Sequence, residues 1–330
     1  MNFYSDYNDL AQRLSADSGI EITYKGTGKY LSFTPYIYND CSASCRFCSE
    51  KLIRKGQVMV CEGICDGYEK MLEDALKYTG DRQIFLSLSG KEPSESPEHL
   101  ELIAEAVKNA EEVGSNIKPR IMYSNLSGFV NNWDRLTKVI KDLNVTRIEC
   151  SRHFYEEDVN QNIVQFKDGV AIRENAVFAD VVQRLQKILP LKMVCVFQKG
   201  GVENAEHVKK YLDFARSMGI TEVVFRELSV FSDGVDRGPV QQYITDSRIE
   251  LMDILEGLSK EEFKIAGINK GYYYFSFEYN YKDMSVSFEM SDYEEMIKKH
   301  TGSDLHKLIF YPNGKLCRDW NMQGEISNWR

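Results

Sequence analysis

Cys41, Cys45 and Cys48 lie in the run Tyr38-Asn39-Asp40-Cys41-Ser42-Ala43-Ser44-Cys45-Arg46-Phe47-Cys48. Three thiolates within eight residues let one loop wrap a single inorganic object, and cysteine thiolates are the standard ligands of iron–sulfur clusters. No fourth cysteine stands at a matching distance. The object expected is therefore a [4Fe–4S] cube with three protein ligands and one open iron. Structural zinc is the rival reading, but it takes four tetrahedral ligands, usually as two close pairs. The next cysteines, Cys61 and Cys65, are separated from the loop by Lys51, Arg54 and Lys55 and are read as packing thiols. A disulfide would leave one of the three loop cysteines over.

This cysteine spacing, with aromatic Phe47 just before the third thiol, resembles the cluster loop of radical S-adenosylmethionine (SAM) enzymes. The resemblance implies that the amino and carboxylate groups of SAM chelate the open iron. An electron from the cluster then splits the sulfonium C–S bond, and the 5′-deoxyadenosyl radical so formed takes a hydrogen atom from substrate. It also implies an external electron donor such as flavodoxin or ferredoxin.

Further site residues follow from the same resemblance. Ser89-Gly90-Lys91-Glu92-Pro93 is similar to the family's Gly-Gly-Glu-Pro segment, which receives the methionine ammonium, although Ser89 replaces the first glycine and Lys91 is inserted. Ser124-Asn125 and Ser151-Arg152 stand where the family contacts the ribose and the methionine carboxylate. Arg152 is the better carboxylate clamp because a guanidinium grips with two parallel hydrogen bonds. Gln198 opens a Gly200-Gly201 turn of the kind that lines the adenine. At Phe225-Arg226-Glu227 the backbone edges the adenine while the two charged side chains face substrate, or else they form an ion pair.

The elements that must position these residues are legible as a rhythm. Apolar runs at 31–37, 84–89, 120–124, 147–151, 192–197 and 222–226 read as strands, and helical periodicity fills most of the gaps between them. Six strand-then-helix units imply right-handed crossovers and a parallel sheet. Periodicity leaves open a doubly wound sheet. The family resemblance implies an α/β fold with a partial (β/α)6 barrel over residues 31–230, after an N-terminal extension over 1–30. Beyond residue 231 the pattern changes to a helix near 247–258, strands at 272–277 and 284–289, and a hairpin turned at Asn313-Gly314. This C-terminal α+β region, 231–330, is expected to cap the barrel mouth.

The 330 residues are 43% hydrophobic and 28% charged, with a net charge of −9, which makes nucleic acid a poor default partner. No run approaches a membrane span, and Met1-Asn-Phe-Tyr-Ser-Asp is no signal peptide. A cytoplasmic location is expected. Peptide-modifying members of the family often carry extra peptide-binding and cysteine-rich regions. Here about 30 residues precede the first barrel strand and Cys317 alone follows Cys195. The expected substrate is therefore a small polar metabolite (a sugar, cyclitol, nucleoside or amino acid) undergoing epimerisation, dehydrogenation or rearrangement. Peptide or RNA modification is the alternative, and a zinc-stabilised binding module is the alternative of another class. His153, Arg226, Tyr311, Cys317, Arg318, Asp319, Trp320 and Asn321 are candidates for holding substrate. Cys317 is the candidate hydrogen-atom donor if the reaction is an epimerisation.

Overall fold

The computed structural model describes residues 3–25, 30–53, 63–229, 238–300, 305–318, 320, 324–326 and 329. Among them the strands, in chain order, are β1 Ile22–Tyr24, β2 Tyr30–Pro35, β3 Gln83–Leu88, β4 Ile117–Ser124, β5 Arg147–Ser151, β6 Leu191–Val196, β7 Glu222–Arg226, β8 Phe263–Lys270, β9 Tyr274–Tyr281, β10 Met284–Ser291, β11 Lys307–Phe310 and β12 Leu316–Cys317. They join in one sheet, ordered β1-β8-β9-β10-β7-β6-β5-β4-β3-β2-β11-β12.

From β2 to β7 each strand pairs in parallel with the next in sequence. This order settles the choice that periodicity left open. A doubly wound sheet reverses direction at a switch point, whereas right-handed crossovers that always step the same way place every helix on one face. Leu31 and Phe33 of β2, Ile84, Leu86 and Leu88 of β3, Ile148 of β5 and Met193 of β6 accordingly pack with helical residues such as Leu72, Leu100, Ile103, Leu136, Val182 and Leu212 in one core. Full burial of each such side chain contributes about 1.5–3 kcal/mol. Side chains alternate across a strand, so the intervening residues (Ser87, Tyr123, Glu149, Ser151 and Arg226) face the other, concave side.

The C-terminal strands extend the sheet on both sides. β8, β9 and β10 make an antiparallel meander whose last member pairs in parallel with β7. β11 pairs in parallel with β2, and β12 with β11. These pairings occupy the backbone N–H and carbonyl groups that β7 and β2 would otherwise leave open as edge strands. The helix Pro239–Ser247, which sequence periodicity missed, packs Ile244 with Phe47, Val196 and Leu228.

The N-terminal extension is also part of the sheet. β1 pairs with β8, and the helix Phe3–Ser18 buries Tyr7, Leu10 and Ala11 in the main core. Among the described residues no helix is long and apolar enough to cross a membrane.

Candidate active site

The cysteine loop leaves the end of β2 and is held on both flanks. On one side, Ile37 N–H donates to the Ser89 carbonyl and Lys91 N–H to the Ile37 carbonyl, each at 2.9 Å. This zips the chain before Cys41 to the turn after β3. Gly90 permits the zip: its φ is +127°, and a Cβ there would stand 2.4 Å from the Ile37 carbonyl oxygen. Asn39 extends the seam by donating to the Glu92 carbonyl and to Ser96 Oγ. Glu95 accepts from the Ser42 N–H at 2.9 Å.

On the other side, the loop runs against residues that follow the helix Glu157–Val164. Ser44 N–H donates to the Val164 and Gln165 carbonyls, Arg46 N–H to the Ile163 carbonyl, and Lys167 N–H to the Ser42 carbonyl. Lys51 reaches back to the Ser44 carbonyl, Ser44 Oγ and the Cys45 carbonyl, all within 3.0 Å. A loop with this many fixed backbone groups is preorganised to present its side chains.

Those side chains are the three thiols. Burial pushes the Cys41 thiol up to about 12. It raises Cys45 and Cys48 as well, and the Cys45 thiol further feels the charges of Cys48 and Cys41. Desolvated, mutually repelling thiols lose their protons when a cationic centre takes the proton's place, so the donor set fits an iron–sulfur cube. Among the described residues no three His, Cys, Asp or Glu side chains converge to share a single metal ion. A cube asks instead for separate corners, with one iron per thiolate.

Phe47 does not hang free. Its ring meets His153 edge-on at 4.8 Å between centroids and packs with Val196, Leu228 and Ile244. Arg46 lies 4.4 Å over the Tyr243 ring, and Tyr243 Oη donates to Gln198 Oε1 at 2.6 Å. The helix Pro239–Ser247 is thus tied to both the cysteine loop and the end of β6.

Several of the expected contact residues are already engaged within the protein. Arg152 is 1% exposed, and its guanidinium donates to the Ile172 and Arg173 carbonyls and to Asn175. It locks the segment after the helix Glu157–Val164 to the sheet, while its buried Nε meets no partner among the described residues. Glu227 turns into the core, where it accepts from Tyr7 Oη, Arg248 and the Leu251 N–H. His153 is 4% exposed, its Nδ1 accepts from the Val196 N–H at 3.2 Å, and burial lowers it to about 3. It is a neutral seat for Phe47. Cys317 is fully buried among Tyr36, Ile309 and Tyr311. Gln198, also fully buried, is engaged by Tyr243.

Glu92 departs from expectation too. Its carboxylate is 3% exposed. It accepts from the Ser94 N–H at 3.0 Å, Ser94 Oγ at 2.7 Å, Ser124 Oγ, and the Asn125 N–H at 2.7 Å. It therefore binds the end of β3 to the end of β4, and Ser124 and Asn125 serve that knot.

The concave face keeps Ser89, which bonds Ser87 at 3.2 Å, together with Ser151 and Arg226. Lys91 rests over the Tyr38 ring at 4.0 Å. Tyr311 donates to the Trp320 carbonyl at 3.0 Å, and Arg318 is exposed. Cys61, Asp319 and Asn321 lie outside the described residues. Sequence reading missed Asn39, Lys51, Glu95, Tyr243, Glu149 and Glu289. Glu149 had a usable signal, a carboxylate between the apolar Ile148 and Cys150 in the middle of a strand.

No protein-family model matches the sequence. No curated protein matches it either. Solved structures do. Streptococcus suis SuiB bound to the precursor peptide SuiA superposes with a TM-score of 0.52 at 13% identity, over 98% of this chain and 66% of that one. SuiB bound to S-adenosylmethionine gives 0.50 at 11% identity, over 97% and 66%. The chain has the SuiB fold. It spans 66% of SuiB's length.

One pH effect follows from Glu92. Burial raises its carboxyl from 4.5 to about 7, against the lowering by its hydrogen bonds. A folded-state value above the unfolded one means that the folded protein holds the proton more tightly. The stabilisation is complete below pH 4.5 and is lost as pH rises through about 7, a change of about 3 kcal/mol. Thermal melts of the metal-free protein from pH 4 to 8 are expected to show this decline, and Glu92→Gln is expected to flatten it. Parallel curves for the two proteins would refute the assignment.

Proposed function

We propose that this chain is a radical SAM enzyme. The observation that carries the proposal is the position of the three-thiol loop, braced between the turn after β3 and residues 163–167, at the carboxyl end of a parallel sheet wound in one direction. Ligand sites in such sheets belong at that end. SuiB, whose fold this is, binds S-adenosylmethionine, which supports the reading. Cys41, Cys45 and Cys48 would hold a [4Fe–4S] cluster, and SAM would lie along the ends of β3 to β6. When bound, these groups supply a 5′-deoxyadenosyl radical for hydrogen abstraction.

The chain's own contribution is placement and dryness. The carbonyls and N–H groups around Ser89, Gly90 and Lys91 present a polar rim beside the loop. Phe47, Val196 and Leu228 exclude water next to it, which protects a reactive species from side reactions. The substrate lies on the concave face. A small polar metabolite suits its hydroxyl-lined and charged surface. A peptide is the second reading, favoured because SuiB takes a precursor peptide.

The test is anaerobic reconstitution with iron and sulfide. Expected are about four irons per chain and a visible band near ~400 nm, as for a cube of this type, followed by release of 5′-deoxyadenosine from SAM on reduction. A colourless protein retaining one zinc would sink the proposal.

A further inference from the structure

Arg226 and Glu289 are partners in the β7–β10 ladder, and both point onto the concave face. Arg226 Nε donates to Glu289 Oε2 at 2.9 Å and Nη2 to Glu149 Oε2 at 3.1 Å. Glu149 receives Arg147 Nη2 on its other oxygen at 2.7 Å. The exposures differ in a telling way: Glu149 is 4% exposed, whereas Arg226 and Glu289 keep 36% and 29% of their side chains open to solvent. An ion pair built only to hold strands together would be closed off.

The donor count points the same way. A guanidinium carries five N–H donors, and two of Arg226's make the bonds above. Among the described residues, Nη1 meets no acceptor and Glu289 Oε1 meets no donor in the hydrogen bonds around this pair. Two carboxylates from different strands fix the guanidinium plane, so the direction of its open end is set. The four charges of Arg147, Glu149, Arg226 and Glu289 cancel. A ligand bearing only an anion or only a cation would unbalance the cluster in a partly desolvated setting. A ligand bearing both would not.

We propose that the Arg226–Glu289 pair binds a free α-amino acid as the substrate, with Arg226 Nη1 on its carboxylate and Glu289 Oε1 on its ammonium. This rests on the reading of the concave face as the substrate side of a radical SAM enzyme, and it narrows the substrate class. Charge-assisted bonds of this kind are worth about tenfold or more each in affinity.

The experiment is calorimetric binding of the common L-amino acids, their carboxamides and their N-acetyl forms to the reconstituted protein with SAM. At least one free amino acid is expected to bind, with each blocked form weaker by about tenfold or more. Glu289→Gln should abolish the preference for the free amine over the N-acetyl form, and Arg226→Lys should weaken carboxylate discrimination. Binding of none, or equal binding of free and blocked forms, overturns the proposal, as does preference for a peptide over every free amino acid. Iron and SAM uptake are measured on the same sample. Uptake without amino-acid discrimination defeats this proposal alone, and discrimination without uptake supports it while defeating the radical reading.

Discussion

Cys45→Ser is expected to leave the fold intact and abolish the chemistry. Cys45 is the middle thiol of the loop, with Cys41 and Cys48 both close enough to raise its proton affinity. The loop's backbone bonds from Ser44 and Arg46 to residues 163–165 and from Lys51 to the Ser44 and Cys45 carbonyls involve no sulfur. The variant should therefore melt near the wild-type temperature while its iron content collapses. Outer-sphere changes at metal sites typically cost 10–100-fold, so loss of a direct ligand is expected to lower SAM cleavage by more than about 100-fold. Full iron loading and undiminished 5′-deoxyadenosine release in this variant would remove the basis of the functional proposal.

Gly90→Val is expected to produce a large loss of stability. The position combines a φ of +127° with a clash: a Cβ would lie 2.4 Å from the Ile37 carbonyl oxygen and 2.7 Å from its nitrogen. Both atoms belong to the zip that seats the cysteine loop, so neither can retreat without breaking it. Backbone strain of about 1–3 kcal/mol adds to overpacking of about 1–3 kcal/mol, which is a large part of a total stability of roughly 5–15 kcal/mol. Chemical denaturation should show the loss, and iron loading should fall with it. A variant as stable as wild type would show that the Ile37–Gly90 seam does not hold the loop.

The barrel was legible in the sequence because its strands are buried on their outer face, so each left an apolar run between turns. The six runs at 31–37 through 222–226 fall within a few residues of β2 to β7. Winding direction was not legible from these runs, since pairing order is a property of long-range contacts. β8 was missed because Phe263–Lys270 alternates buried with exposed positions and contains Lys264, Gly267 and Asn269, a pattern weak in apolar residues. The helix Phe3–Ser18 was passed over because much of its length is polar.

At the site, residue type was a good guide to where chemistry sits and a poor guide to which atoms are available. Arg152, Glu92 and Glu227 are all at strand ends, as expected of ligand-binding residues. Yet strand ends are also where backbone N–H and carbonyl groups lose their ladder partners, and buried charged side chains are recruited to satisfy them. Arg152 takes two carbonyls, and Glu92 and Glu227 each take an N–H. Arg226, by contrast, is paired with side chains and keeps open donors. A sequence shows the charge but not whether it is already committed.

The pairing of β11 with β2 bears on when the protein can mature. The strand that leads into the cysteines lacks one of its two neighbours until residues 307–310 have emerged from the ribosome. Parallel partners so distant along the chain come together slowly, and until then a nascent polypeptide would show β2 as a bare edge. A ribosome-stalled chain ending near residue 300 lacks this neighbour of β2 and is expected to load less iron than the full chain.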